Sequence, residues 1–389
     1  MRKLSRSTEN LAGQKMFQIL TRAKELENQG KSIIHLEIGD PDFESPPNVV
    51  EKCIQELRDG NTHYVSASGS EEFKAAAAER TFLSRGFKPS YEQILVTQGA
   101  NIQIFYCLAT IADPGDEIIT VDPCFVSYRS IIDFLGLKGI YIPLQESNNF
   151  KLDPNELEKV ISSKTKAILI NSPHNPTGSV LGEAEMKQIY ALAEKYDLFL
   201  LSDEVYGRMI FEENFFSPSS IDHCKDRTVI IHSFSKSYAM TGWRIGAVTG
   251  PEKLIKKMTL VLETLNSCVP PFIQSAATEA IISDQIYIKN MISEFKERRD
   301  LIYKCINSID FLSCIKPEGA FYLFVNIKET GLNDVTFSQR LLDEHGVATC
   351  PGSYFGKSGE GYVRLCFANS KKNILSASER IENFIKDLE

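Results

Sequence analysis

The stretch SFSKSYAMTGWRIG, residues 233–246, sets Lys236 just past an apolar run, TVIIH at Thr228–His232, with Arg244 eight residues further on. A lysine amine is mostly protonated at neutral pH. It becomes a nucleophile only when burial or a nearby cation lowers its pKa, and Arg244 is such a cation. The everyday alternative is a surface lysine whose stem lies along apolar neighbours. In LLSDEVYGR, residues 200–208, Asp203 follows the run LFLL. A carboxylate near a sheet interior needs a cation or a donor; otherwise it caps the next helix. Tyr206, three residues on, can share its face.

Three more clusters sit at the ends of apolar runs. In NSPHNPTGS, residues 171–179, the prolines and Gly178 fix a tight backbone, so that Asn175 either presents its amide inward or belongs to a plain turn. Gly99-Ala100-Asn101, after QILVTQ, reads as a strand-to-helix turn whose N–H groups can hold a phosphate, or as an ordinary helix start. In GYVRLCFA, Arg364 projects from an apolar strand. It is either a salt-bridge partner or a fork for a carboxylate ligand.

Other chemistries lack their residues. There is no G-x-x-x-x-G-K-[ST] and no G-x-G-x-x-G after a strand, which argues against ATP and dinucleotides. Nine cysteines stand singly without a C-x-x-C pair, and six histidines lack H-E-x-x-H spacing, so neither a disulfide framework nor a metal site is indicated. The net charge of −8 gives no electrostatic case for nucleic acid or an anionic membrane. The start of the chain has no apolar signal region, and no apolar run approaches the ~18 residues of a membrane span. A cytoplasmic location is the default expectation.

The elements that must position these residues follow from the apolar pattern. The runs QILVTQG, DEIITVDP, KGIYIPL, KAILINSP, LFLLSDEVY, TVIIHSFSK and RIGAVTG alternate with helical stretches such as 183–196. Several are apolar throughout, which predicts strands covered on both faces in a mainly parallel α/β sheet. Ligands of such sheets bind beyond the strands' carboxyl ends, where the polar clusters lie. A helix is expected from about Asn10 to Asn28, closed by Gly30, and a strand within SIIHLEIGDPDF. The tail mixes helices near 284–307, 338–345 and from 372 with the strands AFYLFVNI and YVRLCFA. It reads as a smaller α+β domain joined by the N-terminal segment, with boundaries at 45–285 for the large domain and 1–44 with 286–389 for the small one. At ~100–200 residues per domain, 389 residues agree with two.

Taken together, LEIGDPDF, HYVSASGSEEFKAAAAER, TQGAN, DPCF, NSPHNPTG, SDEVYG, SFSKSYAMTGWRIG, PEGAFYLF, PGSYFG and GYVRLCFA resemble, in order and nearly end to end, the class I/II aminotransferases. These are pyridoxal 5'-phosphate (PLP) enzymes of fold type I. The resemblance implies that Lys236 forms a Schiff base with PLP and that Asp203 pairs with the ring nitrogen. It implies that Asn175 and Tyr206 bond the ring hydroxyl oxygen and that Phe125 stacks on the ring. Gly99, Ala100, Asn101, Ser233 and Arg244 would hold the phosphate, joined by Tyr64 from a second subunit of a homodimer. Arg364 would clamp the substrate carboxylate with Asn175, and Gly39 would lie nearby. The implied reaction moves an amino group between an amino acid and a 2-oxo acid by a ping-pong mechanism. A β-lyase of the same fold, or a binding protein that kept the fold without turnover, are the alternatives. Aspartate-using relatives often carry Gly-Gly-Lys where this chain has Gly99-Ala100-Asn101, so strict use of aspartate is not expected.

Overall fold

The structure, a computed structural model, describes residues 5–9, 11, 13–212 and 215–388. The first strand, β1, is only Ile34–His35. The seven apolar runs then become β2 (Ile94–Thr97), β3 (Glu117–Asp122), β4 (Lys138–Pro143), β5 (Thr165–Asn171), β6 (Phe199–Asp203), β7 (Thr228–Ser233) and β8 (Gly246–Thr249). They hydrogen-bond in the order β2-β8-β7-β6-β5-β3-β4. Strand β8 runs antiparallel to β2 and β7, and the other pairings are parallel. Strands β2 through β7 therefore point one way, and their carboxyl ends lie along one edge. Every residue of β2 and β3 is buried, as a sheet covered on both faces requires.

Helices fill the crossovers, among them Ala100–Ile111, Val126–Phe134 and Glu183–Lys195. The first is tied to the sheet by a buried glutamine. Gln103 Nε2 donates to Thr97 Oγ1 at 2.7 Å and to the His232 carbonyl at 2.9 Å, while its Oε1 accepts from the His232 N–H at 3.1 Å. This fixes the start of the helix beside the end of β7.

A second sheet joins β9 (Ser313–Cys314), β10 (Tyr322–Asn326), β12 (Cys350–Pro351) and β13 (Tyr362–Cys366) in the antiparallel order β12-β13-β10-β9, and β1 pairs in parallel with β11 (Val347–Ala348). The long helix Ile286–Ile306 packs against it through Phe295, whose ring lies 5.4 Å from Phe321. Both rings are fully buried, so truncating Phe295 to alanine is a cavity-forming change of about 3–5 kcal/mol. Among the described residues no helix is long and apolar enough to cross a membrane.

Three element boundaries differ from expectation. The N-terminal helix runs Met16–Asn28 instead of starting at Asn10, which lies outside the described residues. Gly13, at φ +61°, is incompatible with a continuous right-handed helix through that point. The strand expected in SIIHLEIGDPDF pairs at only two residues, after which the chain bends at Glu37–Ile38 and again at Asp42–Phe43. The helix expected at 338–345 begins at Asp334, because Asn333 caps it by accepting from the Thr336 N–H at 2.9 Å.

Candidate active site

The strand ends of β2, β5, β6 and β7 meet at one cavity of about 400 Å³. Asn171 and Asp203 are register partners at the ends of β5 and β6, and Ser233 pairs with Gly246 across β7 and β8. Of the residues singled out by sequence, Gly39, Ala100, Asn101, Phe125, Asn175, Asp203, Tyr206, Ser233, Lys236, Arg244 and Arg364 line this cavity. Gly99 does not line it but immediately precedes Ala100, which does. Tyr64 does not reach it: its ring is 86% exposed, away from the cavity of its own chain.

Asp203 is buried and has no cationic partner among the described residues. Its Oδ2 accepts from Tyr128 Oη at 2.5 Å and its Oδ1 from the Val205 N–H at 3.1 Å. Burial pushes its pKa up to about 6, and both hydrogen bonds pull the other way. Sequence reasoning asked for a cation or donor beside Asp203; within the chain the donor is a tyrosine from the helix Val126–Phe134.

Lys236 lies in a single helical turn, Phe234–Ser237, that follows β7. Its amine donates to the Gly39 carbonyl. Burial lowers its pKa to about 8; Asp40 opposes the shift, and Arg364 and Arg244 add to it. Burial thus moves the amine toward the neutral form that a nucleophile requires.

The opposite end of the cavity is built for an anion. Helix Ala100–Ile111 opens there with no side-chain cap, leaving its first N–H groups free. Its N-cap, Gly99, has φ +86°, and a Cβ there would lie 2.8 Å from Arg244 Nη2. Glycine therefore lets the guanidinium lie against the helix start. Arg244 donates only to the Thr241 and Gln98 carbonyls and forms no ion pair among the described residues. The hydroxyls of Ser233 and Ser235, 2.8 Å apart, complete this wall.

Arg364 is fully buried without a carboxylate partner among the described residues. Nη1 donates to Asn175 Oδ1 at 3.0 Å, Nη2 donates to the Glu37 carbonyl, and Nε has no partner. Tyr322 and Phe355 flank it, their ring centroids 4.4 and 4.8 Å from the guanidinium carbon. Asn175 is itself held by Asn171, whose Oδ1 accepts the Asn175 N–H at 2.8 Å. Tyr206 Oη lies 2.7 Å from Tyr322 Oη.

Tyr128, Tyr322, Asn171 and Ser235 were not singled out as site residues by sequence. Ser235 had a signal, a second serine two residues after Ser233 and next to the lysine. Tyr322 had none, because it sits in the apolar run AFYLFV and reads as core; Tyr128, between Ser127 and Arg129, carries no mark of which residue it faces. Gln14 and Ser127 add a polar edge, with Ser127 Oγ accepting from Gln14 Nε2 at 3.2 Å and from Asn101 Nδ2 at 3.4 Å. Met16, Phe17 and Ile38 form an apolar rim.

The family model for aminotransferase class I and II matches residues 31–381. The chain is 37% identical to the aspartate aminotransferase of Pyrococcus horikoshii, over 96% of this chain and 94% of that one. It is 38% identical to aromatic-amino-acid aminotransferase 2 of Thermococcus litoralis, over 92% of each. The crystal structure of the aspartate aminotransferase from Rhizobium meliloti superposes with a TM-score of 0.95 at 31% identity, covering 99% of both chains.

Proposed function

The chain belongs to the class I and II aminotransferases, PLP-dependent enzymes of fold type I, and from that premise we propose the residue roles, substrate class and assembly. The activity is transfer of an amino group between an amino acid and a 2-oxo acid. The residues fit the cofactor at three points: a buried carboxylate lacking a cation, a part-buried amine of lowered pKa, and a helix start with an unpaired arginine. Bound there, PLP supplies an electron sink for charge developing at the substrate Cα.

Asp203 would face the ring nitrogen of the bound cofactor and favour its protonated form, and Tyr128 holds the carboxylate in place. Lys236 would anchor the cofactor covalently, and its amine, when free, would take the substrate Cα proton. Asn175 and Tyr206 hold the ring oxygen, and Phe125 covers the ring face. Ala100, Asn101, Ser233, Ser235 and Arg244 grip the phosphate, with Gly99 permitting the close approach. Arg364 binds the substrate carboxylate in a fork, with Asn175 fixing the guanidinium plane and Gly39 beside it. The single observation that carries this reading is the convergence of Lys236, Asp203 and Arg364 on one cavity, Asp203 and Arg364 buried and Lys236 part-buried, none with an ion-pair partner among the described residues. The two half-reactions use this one site in turn, which makes the kinetics ping-pong.

The amino donor has a side chain without negative charge. Lys236, Arg244 and Arg364 are the only lysine and arginine side chains lining the cavity among the described residues, and each already has a task. The remaining wall combines the apolar rim of Met16, Phe17 and Ile38 with the uncharged Gln14 and Asn101 and the carboxylate of Asp40. The assembly is a homodimer: Tyr64, exposed on its own chain, can reach a phosphate only in a second copy. Two units, 45–285 and 1–44 with 286–389, accord with a central sheet confined to 94–249 and a four-stranded sheet confined to 313–366.

One experiment tests the reading. The loaded enzyme is mixed with single amino acids, and its visible absorbance is followed without an oxo acid. Phenylalanine and methionine should discharge the absorbance faster than aspartate, and Lys236→Ala should never acquire it. Faster discharge by aspartate would overturn the donor class. Pyruvate released from cysteine thioethers, with no oxo acid needed, would point to the lyase.

A further inference from the structure

A second cavity, about 470 Å³, shares the segment that carries Lys236. Phe234 and Tyr238, on either side of that lysine, line it, while Ser235 and Lys236 line the active site. Its other walls come from the helix Glu71–Arg85, the turn after β6, and residues 215–220.

Three arginines face this cavity, Arg80, Arg85 and Arg208, against one carboxylate, Glu204. Glu204 is consumed by Arg85, which donates to its Oε2, and by the hydroxyls of Ser217 and Ser202 at 2.6 and 3.1 Å on Oε1. Arg208 meets only neutral groups, its Nη1 donating to Tyr238 Oη and to Gln285 Oε1, each at 2.7 Å. Burial lowers its pKa, and the charge of Arg80 lowers it further, so the two cations feel one another. The Arg80 side chain has no ion pair or hydrogen bond among the described residues. His232 adds a ring nitrogen, Nδ1, that is closed to solvent and without a partner.

Two partly buried like charges without a counter-charge are costly, and a guanidinium fork matches a carboxylate. The remaining lining is apolar, with Phe73, Phe234, Ile230 and Ile281 contributing. A cavity of this size and character holds a small molecule with one charged end and an apolar body. We propose that it is a binding site for a small carboxylic acid with an apolar or aromatic body, the carboxylate on Arg80 and Arg208 and the body against Phe73, Phe234 and Ile281. Inorganic phosphate leaves that apolar wall unused, so it is the weaker ligand. Occupancy bears on the segment that positions Lys236, because Phe234 and Tyr238 are common to wall and segment.

The test is saturable binding of 4-fluorobenzoate, followed by fluorine NMR on the cofactor-loaded protein. An Arg364→Leu background removes the active-site clamp as a competing site. Arg80→Leu and Arg208→Met should each weaken binding about tenfold or more, the loss expected for a charge-assisted hydrogen bond. Unlabelled benzoate should displace the probe and phosphate should not. Absence of saturable binding, or binding that neither arginine change weakens, overturns the site. Displacement by phosphate as effective as by benzoate overturns the ligand class. Should Arg208→Met fold poorly, Arg80→Leu decides the matter, since Arg80 anchors nothing else. The measurement needs no turnover, so its outcome is independent of the proposed catalytic roles.

Discussion

The phenol of Tyr128 donates to Asp203 Oδ2 across 2.5 Å, with both groups closed to solvent. This bond partly offsets what burial does to the carboxylate, since it favours the charged form. Tyr128→Phe should therefore raise the Asp203 pKa and reduce the charge facing the ring nitrogen. Expected is a fall in kcat/KM of about tenfold or more, with the acid limb of the pH–rate profile moved to higher pH. A profile superimposable on the wild type would show that the tyrosine does not tune the acid.

The same carboxylate makes the cofactor-free protein pH-sensitive in a direction opposite to most paired acids. Its folded pKa, about 6, lies above that of an unfolded aspartate. Between those values the folded state holds the proton more tightly, so the stability Asp203 contributes is present at low pH and lost as pH rises through about 6. Asp203→Asn should flatten that part of the dependence and make the cofactor-free protein more stable at pH 7.5, while weakening cofactor binding. Denaturant midpoints at pH 5 and 7.5 for the two proteins check this.

Gly39 has no room for a methyl group, since a Cβ there would lie 1.9 Å from Tyr322 Oη and 2.7 Å from its ring carbon. Gly39→Ala must displace Tyr322, and with it the Tyr206–Tyr322 contact and one face of Arg364. Overpacking of this kind costs about 1–3 kcal/mol. The KM for the amino acid should rise about tenfold, with PLP still bound by absorbance, if that strain falls on the substrate side. Unchanged KM would mean that the Tyr322 ring yields freely.

Tyr64 gives a test of assembly. Mixed dimers of Tyr64→Phe with Lys236→Ala subunits contain one site with both residues intact if the tyrosine acts across the interface. Such mixtures should recover activity above either parent when cofactor is limiting. Recovery no greater than the sum of the two parents would place Tyr64 outside the phosphate grip.

Much of this architecture is legible in residues. Short uninterrupted apolar runs rich in β-branched residues, such as ILVT and TVIIH, read as covered strands, and all seven of those runs pair in one sheet. The clusters after β2, β5, β6 and β7 fall together because parallel strands bring their carboxyl ends to one side. The reversal of β8 is not legible, since an apolar run carries no mark of direction. Nor is Tyr128, whose role depends on which face of a helix meets Asp203, 75 positions away. The short pairing of β1 escapes for a related reason: the Leu36 N–H does bond the Ala348 carbonyl, but the bend at Glu37–Ile38 follows at once.

Because β8 runs back against β7, the loop between them is pinned at its neck, with Ser233 opposite Gly246 and the Phe234 N–H on the Ile245 carbonyl at 3.2 Å. Lys236 and Arg244 both ride on that one pinned loop. Their separation is thus set like the jaws of a calliper, and on the proposed roles the loop gauges the length of whatever is gripped at both ends. An aldehyde whose phosphate arm were one carbon longer would meet one jaw and miss the other, so this enzyme should reject lengthened cofactor analogues before any substrate arrives.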